Sequence, residues 1–356
     1  MSVLRSAGHA RNASGFTLIE LMIALLLGLI VSGAAVALFI TNKQTYVASE
    51  SLARVQENAR TAFELMARDV REAAGNVCGA ALNNTVNVIN APTSSWYTDF
   101  AGGIRGYDGA TAFPGAPFGT TTAQRVAGTD AIELKSAFSD GVTVEKHTPN
   151  SANFKVNTVN HNLNDGDIAM VCDANHAAIF QVTNAQPGTN VTVVHNTGNT
   201  ATPGNCTKGL GSPLDCSSTT GTSYEFGCAF GGQNPAFDCS QPANQWTAIL
   251  AKLKGSRWYI GNNARGGRSL YTSTLTNTGG ALSAVNDEIT EGVNDMTLEY
   301  LVEGGANYQP AAGIDWTKVI AIRINLDMTG KEKIGTDGNV LQRDLQHVVT
   351  IRNRAP

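Results

Sequence analysis

Charge is scarce in this chain. Of its 356 residues only 15% are Asp, Glu, Lys or Arg, against about 25% in an ordinary soluble domain. Neither sign dominates: 25 basic residues stand against 29 acidic ones, a formal net charge of −4. A protein that grips nucleic acid through a basic surface needs an excess of Lys and Arg, so direct nucleic-acid binding is not expected. A mean hydropathy of −0.10 excludes a chain that crosses a membrane many times. Catalytic motifs are missing too: there is no G-x-S-x-G, no G-x-x-x-x-G-K-[ST] and no H-E-x-x-H. His147, His161, His176, His195 and His347 are scattered, and each reads as a surface or core residue rather than a base. No enzyme and no cofactor are expected. Without C-x-x-C or a nearby His pair, a zinc site is not expected either.

Three further absences are local. The first fifteen residues hold Arg5, His9 and Arg11 but no acid; no proline falls between Thr17 and Ala74; no cysteine precedes Cys78. Within the proline-free stretch, Leu21 to Ile40 carries no charge and hardly a polar group. Twenty residues at ~1.5 Å rise span about 30 Å, the thickness of a bilayer's hydrocarbon core. The basic start predicts an N-terminus in the cytoplasm and an exported remainder. Two readings of the export signal follow. Ala35-Val36-Ala37 fits the small-residue rule of an ordinary secretory cleavage site, which would release a soluble domain. Alternatively, cleavage falls before the apolar run and the helix is kept.

The residues beyond the run favour a retained rod. Leu52, Val55, Ala59, Ala62, Phe63, Met66 and Val70 recur at steps of three and four, the mark of an amphipathic helix. Glu50–Arg54, Arg60–Glu64, Glu64–Arg68 and Arg68–Glu72 are spaced to pair on its other faces. Gly75-Asn76 supplies a stop. One helix of about 55 residues would be roughly 80 Å long.

After residue 76 the period changes. Short strands are expected at Ile132–Lys135, Asp167–Val171, Ile179–Thr183 and Val191–His195. Met296, Leu298, Tyr300 and Val302 alternate with Thr297, Glu299 and Leu301, Ile320, Ile322, Ile324 and Leu326 with Ala321, Arg323 and Asn325, and Val349 and Ile351 mark a last strand; His347 shares that last face. The fold class expected is therefore α+β: a long N-terminal helix whose apolar stripe covers an antiparallel, half-buried β-rich domain packed on one side. Residues 75–125 and 184–245 are rich in Thr, Asn, Gly and Pro and read as long loops, a kind that is usually functional or mobile. Asp165-Gly166-Asp167 has oxygens for calcium but lacks the spacing of a known loop, and reads better as a turn. Trp246, Trp258 with Tyr259, and Trp316 have packing as their default role.

Cys78, Cys172, Cys206, Cys216, Cys228 and Cys239 all lie in the exported part, and their even number reads as disulfides in an oxidising compartment. The expected pairing is Cys206–Cys216 and Cys228–Cys239 as local staples, leaving Cys78–Cys172 between the helix end and the sheet.

Gly15-Phe16-Thr17-Leu18-Ile19-Glu20, directly before the apolar run, resembles the class III signal of type IV prepilins and of the related type II secretion pseudopilins. Four features coincide: a basic leader, the Gly, a bulky apolar residue after it, and a carboxylate five residues past it. The resemblance implies a leader of residues 1–15, cleavage between Gly15 and Phe16 by a prepilin peptidase, and N-methylation of Phe16. The pilin-type helix then divides into a transmembrane half, 16–40, and an amphipathic half, 41–75, before a globular domain, 76–356. It also implies a partner for Glu20, otherwise costly at a membrane edge: the amino group of a mature N-terminus, as an assembly ion pair.

Further segments resemble the PilW-type minor pilins. They are Asp165–Asp173 with Ile179–Thr183, Arg257–Asn263, Ser269–Tyr271, Ile289–Met296, the Ala73–Gly79 passage and the closing Thr350–Arg354. This resemblance implies a low-abundance subunit that primes pilus assembly within a minor-pilin tip complex and supports twitching motility and adhesion. Its partners would be other minor pilins, the major pilin, prepilin peptidase and the inner-membrane assembly platform. Its place would be the inner membrane, single-pass with a periplasmic domain, and then the pilus of a Gram-negative-type bacterium. Two alternatives remain open: a large minor pseudopilin of type II secretion, or a tip adhesin binding a surface ligand through the 184–245 loops.

Overall fold

The computed structural model describes residues 15–75, 77, 85–93, 95–100, 103–173, 176–197, 201–227, 248–333 and 339–354. One helix, α1, runs unbroken over Leu18–Glu72, 55 residues. The strands follow in chain order: β1 (Thr85–Asn87), β2 (Ile104–Tyr107), β3 (Ala131–Phe138), β4 (Val144–Thr148), β5 (Asn153–Val156), β6 (Ile168–Cys172), β7 (Ala177–Gln181), β8 (Asn184–Ala185) and β9 (Thr192–Val194). Beyond the second loop region come β10 (Ile249–Asn262), β11 (Arg268–Thr278), β12 (Ala281–Glu291), β13 (Val293–Val302), β14 (Val319–Lys333) and β15 (Val340–Thr350). The α+β class is as the sequence implies. By internal contacts the chain divides into two units. One runs to Ala53 and takes in Lys331–Leu341; the other is Arg54–Gly330 with the chain from Gln342 onward.

In the second unit the stripe of α1 is buried as its spacing requires. Val55, Ala59, Ala62, Met66, Ala67, Val70 and Ala73 are all within 3% of full burial. Arg60–Glu64 (2.8 Å) and Arg68–Glu72 (3.5 Å) pair on the exposed side. The stop falls one residue earlier than Gly75. Ala74 takes the left-handed conformation, φ +55°, because its amide donates to the Lys135 carbonyl (2.9 Å) and a glycine without Cβ, Gly103, lies against its Cα.

Strand β10 organises the largest sheet, whose order is β1-β7-β6-β10-β11-β12 with β3 on β10 and β2 on β3. It pairs with β6 through Ile249–Lys252, with β3 through Lys252–Tyr259 and with β11 through Ser256–Asn262. A second sheet has the order β4-β5-β9-β8 and a third β13-β14-β15. Pairing is antiparallel save for β1 on β7, which is parallel.

Two expectations are corrected here. Packing on one side holds for β13, where Met296, Leu298 and Tyr300 are buried between more exposed neighbours. It fails for β6 and β7, every residue of which is buried. Ala169, Val171, Ala178 and Phe180 enter one core with Phe154 and Val193 of the second sheet; Ile168, Met170, Ala177 and Ile179 enter another with Ile89 and Leu253. Nor is the second loop region loose where it is described. Leu210 and Phe226 are buried in the first of those cores. Asn205 is clamped to strand β7, its side-chain oxygen accepting from the Gln181 amide (2.7 Å) and its Nδ2 donating to the Gln181 carbonyl (2.7 Å).

Candidate functional site

Every Leu, Ile, Met, Val and Phe from Phe16 to Ile40 is exposed. Burying such side chains is worth about 1.5–3 kcal/mol each, and a contiguous apolar surface this large marks a membrane or protein contact. It is, among the described residues, the one helix long and apolar enough to cross a membrane. Gly15 and Phe16 precede its first turn, and Phe16 is almost fully exposed.

Glu20 stands at the head of this surface, where the structure adds a residue that sequence reasoning missed. The Thr17 amide donates to Glu20 Oε2 (3.0 Å), the Thr17 hydroxyl donates to the same oxygen (3.1 Å), and the Glu20 amide donates to Thr17 Oγ1 (3.2 Å). This is a reciprocal capping box, which satisfies amide groups left over at a helix start. Its signal, T-x-x-E before an apolar run, is legible in Thr17-Leu18-Ile19-Glu20. Both of these contacts of the carboxylate fall on Oε2.

The other candidates resolve as follows. Cys206 and Cys216 are disulfide-bonded, as expected. Cys172 is also in a disulfide; Cys78, Cys228 and Cys239 lie outside the described residues, as does Trp246. Asp165 and Asp167 make a turn at Gly166, φ +88°. Asp165 accepts from the Ala185 amide (2.6 Å) and Asp167 from Lys252 Nζ (2.6 Å) and Asn277 Nδ2 (2.9 Å). Among the described residues no acidic, His or Cys cluster could hold a metal ion. Trp258 is buried, its indole donating to Asp69 of α1 (2.8 Å), which also accepts from Ser256 (3.0 Å).

The histidines are less scattered than their spacing implies. His147 and His195, both buried, face each other Nε2 to Nε2 at 3.1 Å among Phe154, Phe180 and Phe226. Desolvation drives His147 down to about 3 and His195 well below the ordinary value of 6.5. Two neutral rings can share that hydrogen bond; two imidazolium ions cannot. His347 lies against Phe63 of α1, ring centroids 5.3 Å apart.

Two family models match the chain. The prokaryotic N-terminal methylation motif matches residues 10–36, across Gly15, Phe16 and Glu20. Type IV pilus-assembly protein W matches residues 257–352, from within β10 to just past β15. No curated protein and no solved structure matches. The chain thus carries a prepilin-type methylation motif at its start and a C-terminal stretch matching the type IV pilus-assembly protein W model, with one apolar N-terminal helix among the described residues.

Proposed function

We propose that the chain is a minor pilin that is cut between Gly15 and Phe16, methylated on Phe16, and drawn from the inner membrane into type IV pili through α1. There it primes assembly as part of a minor-pilin complex at the fibre tip, and so supports twitching and adhesion. The observation that carries this reading is the exposure of every large apolar side chain from Phe16 to Ile40 behind a single carboxylate, Glu20.

In the bilayer that carboxylate costs roughly 2.5–3.5 kcal/mol or more at depth. The Thr17 cap offsets part of this through Oε2. A neighbouring subunit's N-terminal amine, docked on the carboxylate, removes the rest and sets the axial register. Exchange of lipid for helix contacts changes little hydrophobic free energy, so the ion pair and close packing must discriminate between correct and shifted neighbours.

Mass spectrometry of the mature chain tests the first step: a chain beginning at N-methyl-Phe16 is expected, and a start at Leu38 or an intact leader refutes it. Glu20→Ala is expected to insert normally but to fall about tenfold or more in recovery from sheared pili, the scale of about 1.4 kcal/mol. Normal incorporation and normal co-purification with other minor pilins would refute the ion pair. Deletion should abolish twitching and spare protein secretion; the reverse places the chain among the pseudopilins.

A further inference from the structure

On the face of β3 and β10 opposite α1, the sheet carries charge where a core would carry leucine. The register puts Glu133 beside Arg257 and Lys135 beside Gly255 on that face, and Leu134, Ser136, Ser256 and Trp258 on the other. Glu133, Lys135 and Arg257 are each at least 93% buried. The carboxylate accepts from Lys135 Nζ through Oε1 (2.8 Å) and from Arg257 Nε through Oε2 (2.9 Å). A buried triad of this kind adds little stability over an apolar replacement, so its retention calls for another reason.

Above it lies a cavity of about 590 Å³, lined among others by Trp96, Trp316, Tyr107, Arg105, Glu133 and Lys135. That volume is in the range of small-molecule sites, which combine aromatic walls with a few placed polar groups. The walls are fixed in advance. Trp96 stacks on the Arg257 guanidinium, 4.4 Å from its ring, and packs where a Cβ on Gly255 would come within 2.8 Å. Trp316 lies edge-on to Tyr300, centroids 4.9 Å apart. Its ring would come within 2.8 Å of a Cβ on Gly106. Among the described residues, neither indole N–H has a hydrogen-bond partner within the chain. The charged side chains that line the cavity are Arg105 and Lys135 with Asp99, Glu133 and Asp315; Arg257 pairs with Glu133 behind them, and Arg354, which donates to the Trp316 carbonyl, lies near Asp315.

We propose that this cavity binds a neutral, hydroxyl-rich pyranose. Flat indoles suit the C–H faces of a sugar ring, and paired donors and acceptors suit vicinal hydroxyls. A charged ligand would have to compete with pairings already made within the chain, Lys135 and Arg257 on Glu133 and Arg354 near Asp315. Rigid walls keep the ordering cost of binding low. The site goes beyond the assembly reading and does not depend on it, being remote in sequence from the 16–40 segment and lined by residues outside 184–245.

The test uses the full chain in a zwitterionic detergent without a sugar headgroup. Saturation-transfer NMR titrations employ glucose, galactose, mannose and N-acetylglucosamine, with N-acetylneuraminic acid as a carboxylated comparison. At least one neutral sugar is expected to bind saturably with a millimolar or tighter Kd. Trp316→Ala and the exposed Arg105→Gln are each expected to weaken it about tenfold or more, with incorporation into pili unchanged. Should Trp316→Ala misfold, Arg105→Gln carries the test alone. Absence of saturable binding by every neutral sugar, binding untouched by Arg105→Gln, or binding of N-acetylneuraminic acid alone each overturns the proposal.

Discussion

The segment 16–40 and the unit that begins at Arg54 make opposite use of their side chains. The first exposes its leucines and isoleucines; the second hides even three of its histidines, a glutamate and two arginines. In the second, intrachain partners answer many of the buried polar groups, although the Nε of Arg125, Nδ1 of His195 and the Tyr300 hydroxyl have none among the described residues. Arg125, 2% exposed, donates to the carbonyls of Thr111, Asp108 and Thr129 (2.8, 2.8 and 2.6 Å) and lies over Phe113 and Phe118. Desolvation pulls that guanidinium down to about 10 without neutralising it at pH 7. The lesson is that one continuous helix can serve two solvents. Backbone hydrogen bonding sets its length, and side chains alone decide whether a stretch is finished within the chain or awaits lipid or another subunit.

The strongest way to break this contrast is to truncate one apolar residue from each stretch. Met66→Ala removes a fully buried side chain and is expected to cost about 2–5 kcal/mol, read from denaturant unfolding in detergent. Leu25→Ala, at a side chain 66% exposed, should stay within about 0.5 kcal/mol in the same assay. Equal losses would show that the leading stretch is packed within the chain after all.

Acid sharpens the polar half of the contrast. Since His147 is held neutral down to about 3, the unfolded chain binds its proton first as pH falls below 6.5. Stability from this site is therefore complete above that value and declines toward the folded pKa. His147 alone costs about 2 kcal/mol by pH 5, and His195 pulls in the same direction. Thermal melts from pH 7 to pH 5 should show the loss, and His195→Gln should flatten the slope; a flat wild-type profile refutes the buried neutral pair.

Asp69 has the opposite sign. Burial raises its carboxyl above the usual value despite its hydrogen bonds, so the folded state gains a proton first and this site contributes more stability as pH falls. Asp69→Asn keeps an acceptor for Trp258 and should remove that pH dependence with equal or greater stability at pH 7. Asp69→Ala strands the indole N–H and should cost about 1–3 kcal/mol. The smallest effect is expected at Arg60→Ala, whose pair with Glu64 is largely exposed on both sides, at about 0.5 kcal/mol or less.

Local patterns made much of this fold legible. Alternation in Met296–Val302 and Ile320–Leu326 revealed β13 and β14, and steps of three and four revealed the buried stripe of α1. What escaped had no such pattern. Strand β12 is exposed along most of its length, so no apolar period marks it, and β10 has a charged residue, Arg257, buried between its two neighbours. The run Ile168–Cys172 is apolar throughout, a sign of cover on both faces and not of half-burial. His147 and His195 lie 48 residues apart and Glu133 and Arg257 124 apart; only strand register brings such pairs together.

The absence of a break in α1 has a mechanical corollary. Within the second unit, a pull along the part of α1 beyond Arg54 acts on the sheet as shear, shared at once by the row from Val55 to Ala73 and by the Asp69 anchorage, instead of peeling turns away one by one. Were the chain drawn into a filament as proposed, resistance to tension would come from the seating of this stretch of the helix.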